Sequence, residues 1–453
     1  MVDRPLVSAA GLRLLAASLL ASGCWLALAP GRVLAAAGGG SSGFGGGGGG
    51  GGGGSYGGGG AYGGSEGGGA LFLIVAAVVV LAVVLATAFQ TRRVRKRRAA
   101  RRRRVELAAA EAAEDDPLFA PDAVAQSAEQ LFRAAQAAWD ARDDAQLRRL
   151  LSPDLLVEWR RRLADFADRG WHNRVEVLGV DAVEYLGLVN REGEDEDRVT
   201  CRISARLRDY VETEAGERIR RSGASSDTVT LIEHWTLGRR DGGWIVASIE
   251  SDAEGAHVLE QEIVATPWGD EQRLSDASVV EVAAADKLPA GVATVEVADL
   301  DYAGAARAAA LDLSLADGRW APAVLEASAR RAVAAWAVAV DGADRDLLDV
   351  ATPEAADALL HPGDATRKTR LVIRGPRVRR LRIVALDPAA EPPTMTVEVE
   401  VRGRRYVEDR DDASVLAGSK LRETTTVERW TLALRGPDDR PWQVVGVASD
   451  VRA

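Results

Sequence analysis

The sequence Glu-His-Trp-Thr-Leu at residues 233–237 recurs as Glu-Arg-Trp-Thr-Leu at residues 428–432, and this repeat organises the rest of the chain. Further pairs of segments are separated by nearly the same interval, about 195 to 198 residues. These pairs are Ala138-Trp139 with Ala335-Trp336, Arg208-Asp209-Tyr210-Val211-Glu212 with Arg404-Arg405-Tyr406-Val407-Glu408, Trp244-Ile245-Val246 with Trp442-Gln443-Val444, and Ser251-Asp252 with Ser449-Asp450. A nearly constant interval predicts one structural unit used twice.

Each predicted unit begins with helices. Apolar residues in the first helix follow the i, i+3, i+4, i+7 spacing of one buried face. They are Ala128, Leu131, Phe132, Ala135 and Trp139. A second helix is predicted over residues 145–151, and Pro153 begins a third. In the second repeat, the corresponding helices are predicted over residues 324–340, 344–350 and 353–360.

Strands follow the helices in each predicted unit. Apolar residues alternate with polar ones in two matched stretches, which is the period of a half-buried antiparallel strand. The apolar positions are Val199, Cys201, Ile203, Ala205 and Leu207 in the first stretch and Met395, Val397, Val399 and Val401 in the second. Further strands are predicted over residues 174–188, 228–238 and 244–250, with a hairpin turn at residues 239–243. This order predicts an α+β fold, with helices on one face of a curved antiparallel sheet.

The order of helices and strands, with Trp139, the Glu-His-Trp-Thr-Leu strand and the Gly-Gly-Trp-Ile-Val strand, resembles the Tim44-like family. That family is the C-terminal domain of the scaffold subunit of the mitochondrial import motor. It belongs to the nuclear-transport-factor-two-like superfamily of cone-shaped folds. The resemblance covers roughly residues 122–252 and 323–450. It implies two cone-like units with a pocket or groove for lipid or protein, and a Gly-rich stretch ahead of a membrane span is typical of its bacterial members.

The N-terminal segments are predicted to target and anchor the chain rather than to fold as a globular domain. Residues 1–37 are predicted to be a signal sequence or a first membrane helix, with an apolar stretch at 14–28 and a small-residue cleavage site at 33–37. Cleavage near Ala37, retention as a helix and lipid modification at Cys24 remain open alternatives. Residues 38–69 are almost wholly Gly, which predicts a disordered tether.

Residues 70–89 carry no charge over the length that crosses a bilayer, which predicts a transmembrane helix. A basic run follows it within the juxtamembrane linker, residues 90–121. By the positive-inside rule, the units would be cytoplasmic at a bacterial plasma membrane and the tether outside. The basic residues expected to meet anionic lipids are Arg92, Arg93, Arg95, Lys96, Arg97, Arg98, Arg101, Arg102, Arg103 and Arg104.

Few residues are candidates for catalysis or for metal binding. His234 corresponds to Arg429 in the repeat and is predicted to lie on a solvated strand face. His172 and His361 are placed in loops, and no set of ligands is spaced for a metal, so no cofactor is predicted. Cys201 corresponds to Val397 and is predicted to be a small core residue.

Six aromatic residues could line a pocket, although tryptophans at such positions are more often core residues. They are Trp139, Tyr210, Trp235, Trp336, Tyr406 and Trp430. A Tyr–carboxylic acid pair would indicate an enzyme that stabilises an enolate. Asp209 and Tyr210 are adjacent, however, so they should face opposite sides of their strand.

The resulting prediction is a membrane-tethered, non-enzymatic scaffold for a protein partner or lipid. Its two Tim44-like domains span residues 122–252 and 323–453, with a connector over residues 253–322. The net charge of −10 becomes more negative once the basic run is set aside, which argues against a nucleic-acid partner. The alternatives are a pocket enzyme of the isomerase or hydratase type and an accessory factor in envelope assembly or secretion.

Overall fold

The computed structural model describes residues 37–39, 41–44, 68–191, 193–222, 224–266, 300–342, 344–437 and 440–450. For residues 68–77 and 449–450 the description covers the backbone alone. Most of the predicted leader, residues 45–67 of the predicted tether and residues 267–299 of the connector lie outside the described residues.

Helices and strands are ordered in the same way in two successive units of the described chain. The helices are α1 (Gly68–Asp115), α2 (Pro121–Asp140), α3 (Asp144–Leu150), α4 (Pro153–Asp168), α5 (Ala306–Ser314), α6 (Pro322–Ala339), α7 (Arg345–Val350) and α8 (Pro353–Leu360). The strands are β1 (Trp171–Val189), β2 (Arg198–Thr213), β3 (Arg218–Arg220), β4 (Thr228–Arg240), β5 (Gly243–Ser251), β6 (Leu300–Tyr302), β7 (Thr369–Asp387), β8 (Thr394–Asp409), β9 (Val415–Gly418), β10 (Thr424–Leu434) and β11 (Trp442–Asp450).

Each unit has its own sheet. The first sheet has the order β1-β2-β4-β5, with β3 on β2, and all its pairs are antiparallel. The second has the order β11-β10-β8-β7-β6, with β9 on β8, and only the short β6 runs parallel to its neighbour. The α+β prediction with antiparallel sheets is therefore confirmed.

The repeated Glu-X-Trp motif makes the same contact in both sheets. Nε1 of Trp235 donates to Glu233 at 2.9 Å, and Nε1 of Trp430 donates to Glu428 at 3.2 Å. The glutamate and the tryptophan are two residues apart, so both lie on the same face of their strand. Both indoles are fully buried, and the carboxylate supplies the hydrogen bond that a buried indole N–H needs.

The helices join the sheets at equivalent points. The backbone N–H of Ser152 donates to Val246 O at 2.8 Å, and that of Thr352 donates to Val444 O at 2.9 Å. In both units this residue is also the N-cap of the helix that starts with the next proline.

The polar face of strand β2 is more buried than the alternation of apolar and polar residues predicts. Its apolar positions are buried as expected, and burial raises the pKa of the Cys201 thiol to about 12. On the opposite face, Arg202 pairs with Glu184 and Asp252, at 2.9 and 2.7 Å. His234 is 2% exposed, so its predicted solvated position is wrong. The cause is a 3-10 helix of the connector, Glu254–Leu259, which packs against this face.

Helix α1 is more than a juxtamembrane linker. Its C-terminal part contributes Val105, Ala109 and Ala112 to the core of the first unit, each with no exposed area. Within the described residues, no helix combines the length and the apolar character needed to span a bilayer. The side chains of residues 70–77 lie outside the described residues, and the span at 70–89 stays a prediction.

A buried polar chain links helix, strand and loop in the first unit. Trp139 Nε1 donates to Asn173 Oδ1 at 2.8 Å, and Asn173 Nδ2 donates to Asp209 Oδ1 at 2.8 Å. The second Asp209 oxygen pairs with Arg221 Nε at 2.5 Å, and the Asp209 side chain is wholly buried. Each buried group thus has a partner, which buried polar groups require.

The two units meet where β7 bulges toward the connector. Gly375 has a φ of +58°, and a Cβ built there would lie 2.2 Å from the Cβ of His257. The register of β7 against β8 shifts between Arg374 and Arg377, on either side of this contact. Only glycine combines this backbone conformation with so close an approach.

We predict that Asp209→Ala destabilises the first unit by about 3–5 kcal/mol, because it removes the buried carboxylate that pairs with Arg221 and accepts from Asn173. The matched control is Glu176→Ala, which removes an exposed ion pair with Arg208 and should change the free energy of unfolding by less than about 1 kcal/mol. Urea unfolding of the full-length protein, followed by tryptophan fluorescence, measures both. Equal losses in the two variants would contradict the role assigned to Asp209.

We also predict that Gly375→Ala loosens the contact between the units, because the added methyl group collides with His257. Gly363→Ala is the control, since Gly363 also has a positive φ, +77°, but a Cβ there meets nothing within 4 Å. Hydrogen exchange of residues 254–259 should accelerate in Gly375→Ala and stay unchanged in Gly363→Ala. Exchange that is equally fast in both variants would show that backbone strain alone is responsible.

Candidate functional site: the cleft between the two units

The two units enclose one cavity of about 470 Å³, which we call the interunit cleft. Its walls come from α4 and β5 of the first unit and from β7, β8 and β9 of the second. Lining residues include Glu158, Trp159, Arg162, Arg374, Tyr406 and Lys420. Charged residues of both signs therefore dominate a space that is large enough for a peptide segment.

Ion pairs cross the cleft from one unit to the other. Arg410 Nη2 lies 2.6 Å from Glu158 Oε1, and Arg162 Nη2 lies 2.7 Å from Glu408 Oε1. All four side chains are less than one-fifth exposed, so water screens these pairs less than it would at the surface. They fix how α4 sits against β8.

A buried hydrogen bond joins Tyr406 of the second unit to Glu254 of the connector. The Tyr406 hydroxyl donates to Glu254 Oε1 at 2.6 Å, and the Ser251 hydroxyl donates to Glu254 Oε2 at 2.6 Å. Burial opposes ionisation of Glu254, but Lys420 and Arg374 hold the pKa of its carboxyl below the usual range. The tyrosine hydroxyl is therefore committed to an anionic carboxylate and is not a free donor for a substrate oxygen.

Arg374 is the central cation of this region. Its Nη1 lies 2.8 Å from Asp341 Oδ1 and 4.0 Å from Glu250 Oε1, and its Nε lies 3.9 Å from Glu254 Oε1. Burial alone would lower the pKa of the guanidinium, but Tyr406 and these carboxylates raise it well above its ordinary value. Burial raises the pKa of Glu250 to about 7.

A short N-terminal segment, residues 37–44, lies in the cleft. The backbone N–H of Ala37 donates to Gln136 at 3.1 Å, that of Ser42 donates to Asp412 O at 3.3 Å, and Gly43 O accepts from Ser222 N at 2.9 Å. The prediction of a disordered tether over residues 38–69 is thus wrong for Gly38, Gly39 and residues 41–44. These residues are ordered because the cleft satisfies their backbone hydrogen bonds.

Phe44 anchors this segment. Its ring centroid lies 6.0 Å from that of Phe166 in an edge-on arrangement, and the Arg221 guanidinium lies 4.5 Å from its centroid. Gly38 has a φ of +78°, and a Cβ there would lie 2.3 Å from Trp159 Nε1. The cleft therefore accepts small residues along the chain and one aromatic ring at its end.

Among the predicted pocket residues, only Tyr406 lines the cleft. The four tryptophans of that set are fully buried in the two cores, where Trp235 packs on Phe132 and Trp336 packs on Trp430. Tyr210 lies beneath the guanidinium of Arg218, at 4.7 Å. The four tryptophans fill helix–sheet contacts, and they therefore take the core role that was predicted as the more common one for them.

The basic residues of α1 do not share one environment. Those that face solvent are Arg92, Arg93, Arg95, Lys96, Arg97, Arg102, Arg103 and Arg104. Arg98 is half-buried near Asp252, at 3.6 Å. Arg101 is 3% exposed and donates to the carbonyls of Leu186 and Gln261, at 2.8 and 2.6 Å, so the prediction of a lipid contact is wrong for it. Burial lowers the pKa of Arg101 to about 10.

The histidines also differ from one another in their environments. His172 lies in β1 rather than in a loop, and His361 directly follows α8; each ring contacts a backbone carbonyl at 2.6 Å. His257 is buried and lies near Glu250 and Asp341. The prediction that no ligands converge is therefore wrong, because this group assembles only when the connector and the second unit pack on β5.

For several cleft residues, no pattern in the sequence indicates a place in a functional site. Glu158, Arg162 and Glu254 are isolated charges in ordinary helical or loop stretches. One signal was present in the sequence Arg-Gly-Pro-Arg at residues 374–377, because glycine and proline inside a strand mark a bulge.

Two solved structures are similar to parts of the chain. One is the intermembrane-space region of the chloroplast protein ARC6, with 17% identity and a TM-score of 0.22, covering 28% of this chain and 97% of that one. The other is an Ntf2-like protein involved in plasmid conjugation, with 11% identity and a TM-score of 0.14, covering 62% of this chain and 81% of that one. TM-scores this low establish no common architecture.

Comparison with protein families gives a firmer result for the first unit. No curated protein matches the sequence. The sequence profile of the Tim44-like domain matches residues 105–251, which run from the buried part of α1 to the end of β5. Residues 105–251 are therefore a Tim44-like domain.

Proposed function

We propose that this chain is a non-enzymatic scaffold, anchored in a bacterial plasma membrane, that holds a short polypeptide segment of a partner protein in the interunit cleft. The observation that carries the proposal is the binding of residues 37–44 in that cleft. A Tim44-like domain fits a non-enzymatic role. The commitment of Tyr406 to Glu254 also argues for binding rather than for enolate chemistry.

The contacts of residues 37–44 define the chemistry of the partner segment. Most of the hydrogen bonds go to its main chain, so they recognise a peptide backbone, folded into a 3-10 turn at residues 41–43, more than a particular sequence. Positions equivalent to Gly38 and Gly43 leave no space for a side chain. The position of Phe44 selects an aromatic ring between Phe166 and Arg221. The partner segment should therefore be rich in Gly and Ser and carry one aromatic residue.

In this proposal, the second unit is a second Tim44-like domain. Support comes from its element order and from equivalent contacts, such as Val397 opposite Trp430 where the first unit has Cys201 opposite Trp235. A duplicated unit explains why one cleft has two similar walls.

The membrane anchor of the proposal is helix α1. Several large apolar side chains of its N-terminal part are exposed, and a bilayer would cover them. They are Val78, Val80, Leu81, Val84, Leu85 and Phe89. The exposed arginines that follow would meet anionic headgroups, while the units stay on the cytoplasmic side.

Membrane insertion and occupation of the cleft by residues 37–44 exclude each other. A span at residues 70–89 puts the tether and the units on opposite sides of the bilayer, whereas the bound segment lies on the side of the units. In the inserted chain the cleft is thus open to a partner segment, and residues 37–44 show what it binds.

A photo-crosslinking amino acid at Val415, which lines the cleft, tests the partner. In inverted membrane vesicles containing the full-length protein, we expect a crosslink to a peptide with small residues and one aromatic ring. A synthetic peptide of residues 37–44 should compete with it. Mass spectrometry of the crosslinked peptide provides the measurement.

The matched control places the same amino acid at Leu348, which is 55% exposed on α7 and is not a cleft residue. It should give no crosslink that the peptide displaces. A crosslink from Val415 to residues 37–44 of the same chain, and to nothing else, would refute the partner proposal.

Sidedness is tested separately with one introduced cysteine at a time in a Cys24→Ser background, in which the buried Cys201 is the remaining native thiol. We expect Ser55→Cys in the tether to react with an impermeant maleimide in intact cells. Ser226→Cys, in an exposed loop of the first unit, should react only after permeabilisation. Labelling of both positions, or of neither, in intact cells would overturn the proposed topology without affecting the cleft.

A further inference from the structure

Three potential metal ligands meet at the boundary between the units. Glu250 ends β5, His257 lies in the 3-10 helix Glu254–Leu259, and Asp341 follows α6 in the second unit. One ligand atom from each of the three lies within 4.8 Å of the other two. The side chains of Glu250 and His257 are 5% and 3% exposed, and that of Asp341 is 21% exposed.

The imidazole is oriented as a metal ligand would be. His257 Nδ1 lies 2.9 Å from Glu254 O, and a carbonyl oxygen can only accept, so Nδ1 carries the proton. In the neutral ring the lone pair is then on Nε2, which lies 3.8 Å from Asp341 Oδ2. A second-shell carbonyl that fixes the tautomer in this way is a common feature of histidine ligands.

Each carboxylate has one oxygen toward Arg374 and the other toward the imidazole. Asp341 Oδ1 accepts from Arg374 at 2.8 Å, which leaves Oδ2 on the side of His257. Glu250 Oε1 lies 4.0 Å from Arg374, and Oε2 lies 3.5 Å from His257 Nδ1. Within the described chain, Glu250 Oε2 is buried and has no hydrogen-bond partner.

The local charges point to a cation. With all three ionised, Glu250, Glu254 and Asp341 carry three negative charges, against the positive charges of Arg374 and of Lys420, which acts on Glu254. Buried carboxylates without compensation are strongly unfavourable. A divalent ion supplies the missing charge and gives Glu250 Oε2 the partner it lacks.

We propose that Glu250, His257 and Asp341 bind one Zn²⁺ ion, which fastens the two units together. One imidazole and two carboxylates suit Zn²⁺ better than the all-oxygen sites of Ca²⁺ or Mg²⁺. Zinc ligands lie about 2.0–2.2 Å from the ion, so tetrahedral ligand atoms are about 3.4 Å apart. The ligand atoms lie within 4.8 Å of one another, so binding requires side-chain movements that bring Glu250 Oε2 from the Nδ1 edge of the imidazole toward Nε2. A water molecule would complete the tetrahedron.

The test is a Zn²⁺ titration of the full-length protein in detergent after chelator treatment, in competition with a chromophoric chelator. We expect one equivalent to bind the wild type. Asp341→Asn and His257→Gln should each weaken that binding at least about tenfold. The control is Glu176→Gln, which removes an exposed carboxylate that pairs with Arg208 outside the cleft, and it should bind as the wild type does.

A second readout reports the role of the ion. Zn²⁺ should slow hydrogen exchange of residues 254–259 in the wild type and in Glu176→Gln, but not in Asp341→Asn. His257→Gln, which leaves every anion around Arg374 in place, should also lose this effect. Failure of the wild type to bind Zn²⁺, or equal binding by the wild type, Asp341→Asn and His257→Gln, would overturn the proposal.

Discussion

The buried guanidinium of Arg374 is the constraint on which the interunit cleft depends. A cation removed from water is tolerated only when anions and hydrogen-bond acceptors surround it. Here the anions come from three segments: Glu250 at the end of β5, Glu254 in the connector and Asp341 after α6. The charge of one side chain therefore determines how two sheets and the connector are arranged.

This arrangement explains why the cleft is polar although both units have apolar cores. Each sheet already buries its tryptophan against its own helices, as in the contacts of Trp235 with Phe132 and of Trp336 with Trp430. The surfaces through which the two units contact each other carry charged residues. These residues form ion pairs with a defined geometry. Ion pairs such as Arg410–Glu158 fix an orientation more than they add stability.

Local patterns predicted most of the fold. The repeat identified both sheets because Glu233 and Trp235, like Glu428 and Trp430, are neighbours on one strand face, and the hydrogen bond between them needs no distant partner. Period-two alternation identified the buried face of β2 and β8 for the same reason. Helix α4 was placed correctly because Pro153 and the Ser152 cap define its first turn locally.

The cleft, in contrast, is built from contacts that no local pattern encodes. His234 was predicted to be solvated because its strand neighbours are polar, yet a 3-10 helix from the connector covers it. His257 and Asp341 are far apart along the chain, and neither shows ligand spacing. Residues 37–44 are compositionally a tether, and only the hydrogen bonds of the cleft order them. Of the predicted pocket residues, Tyr406 alone lines the cleft, since bulky aromatics fill cores before they line cavities.

The position of the cleft relative to α1 follows from one further buried cation. Arg101 donates to the carbonyls of Leu186, Gln261 and Glu262, and those of 261 and 262 lie just after the 3-10 helix that carries Glu254 and His257. Moving α1 away would leave these acceptors without their donor. The same 3-10 helix packs against Gly375 of the second unit. An uninterrupted series of contacts therefore runs from the basic end of α1 to the second wall of the cleft. If α1 is the membrane anchor, its orientation in the bilayer also fixes the direction in which the cleft faces.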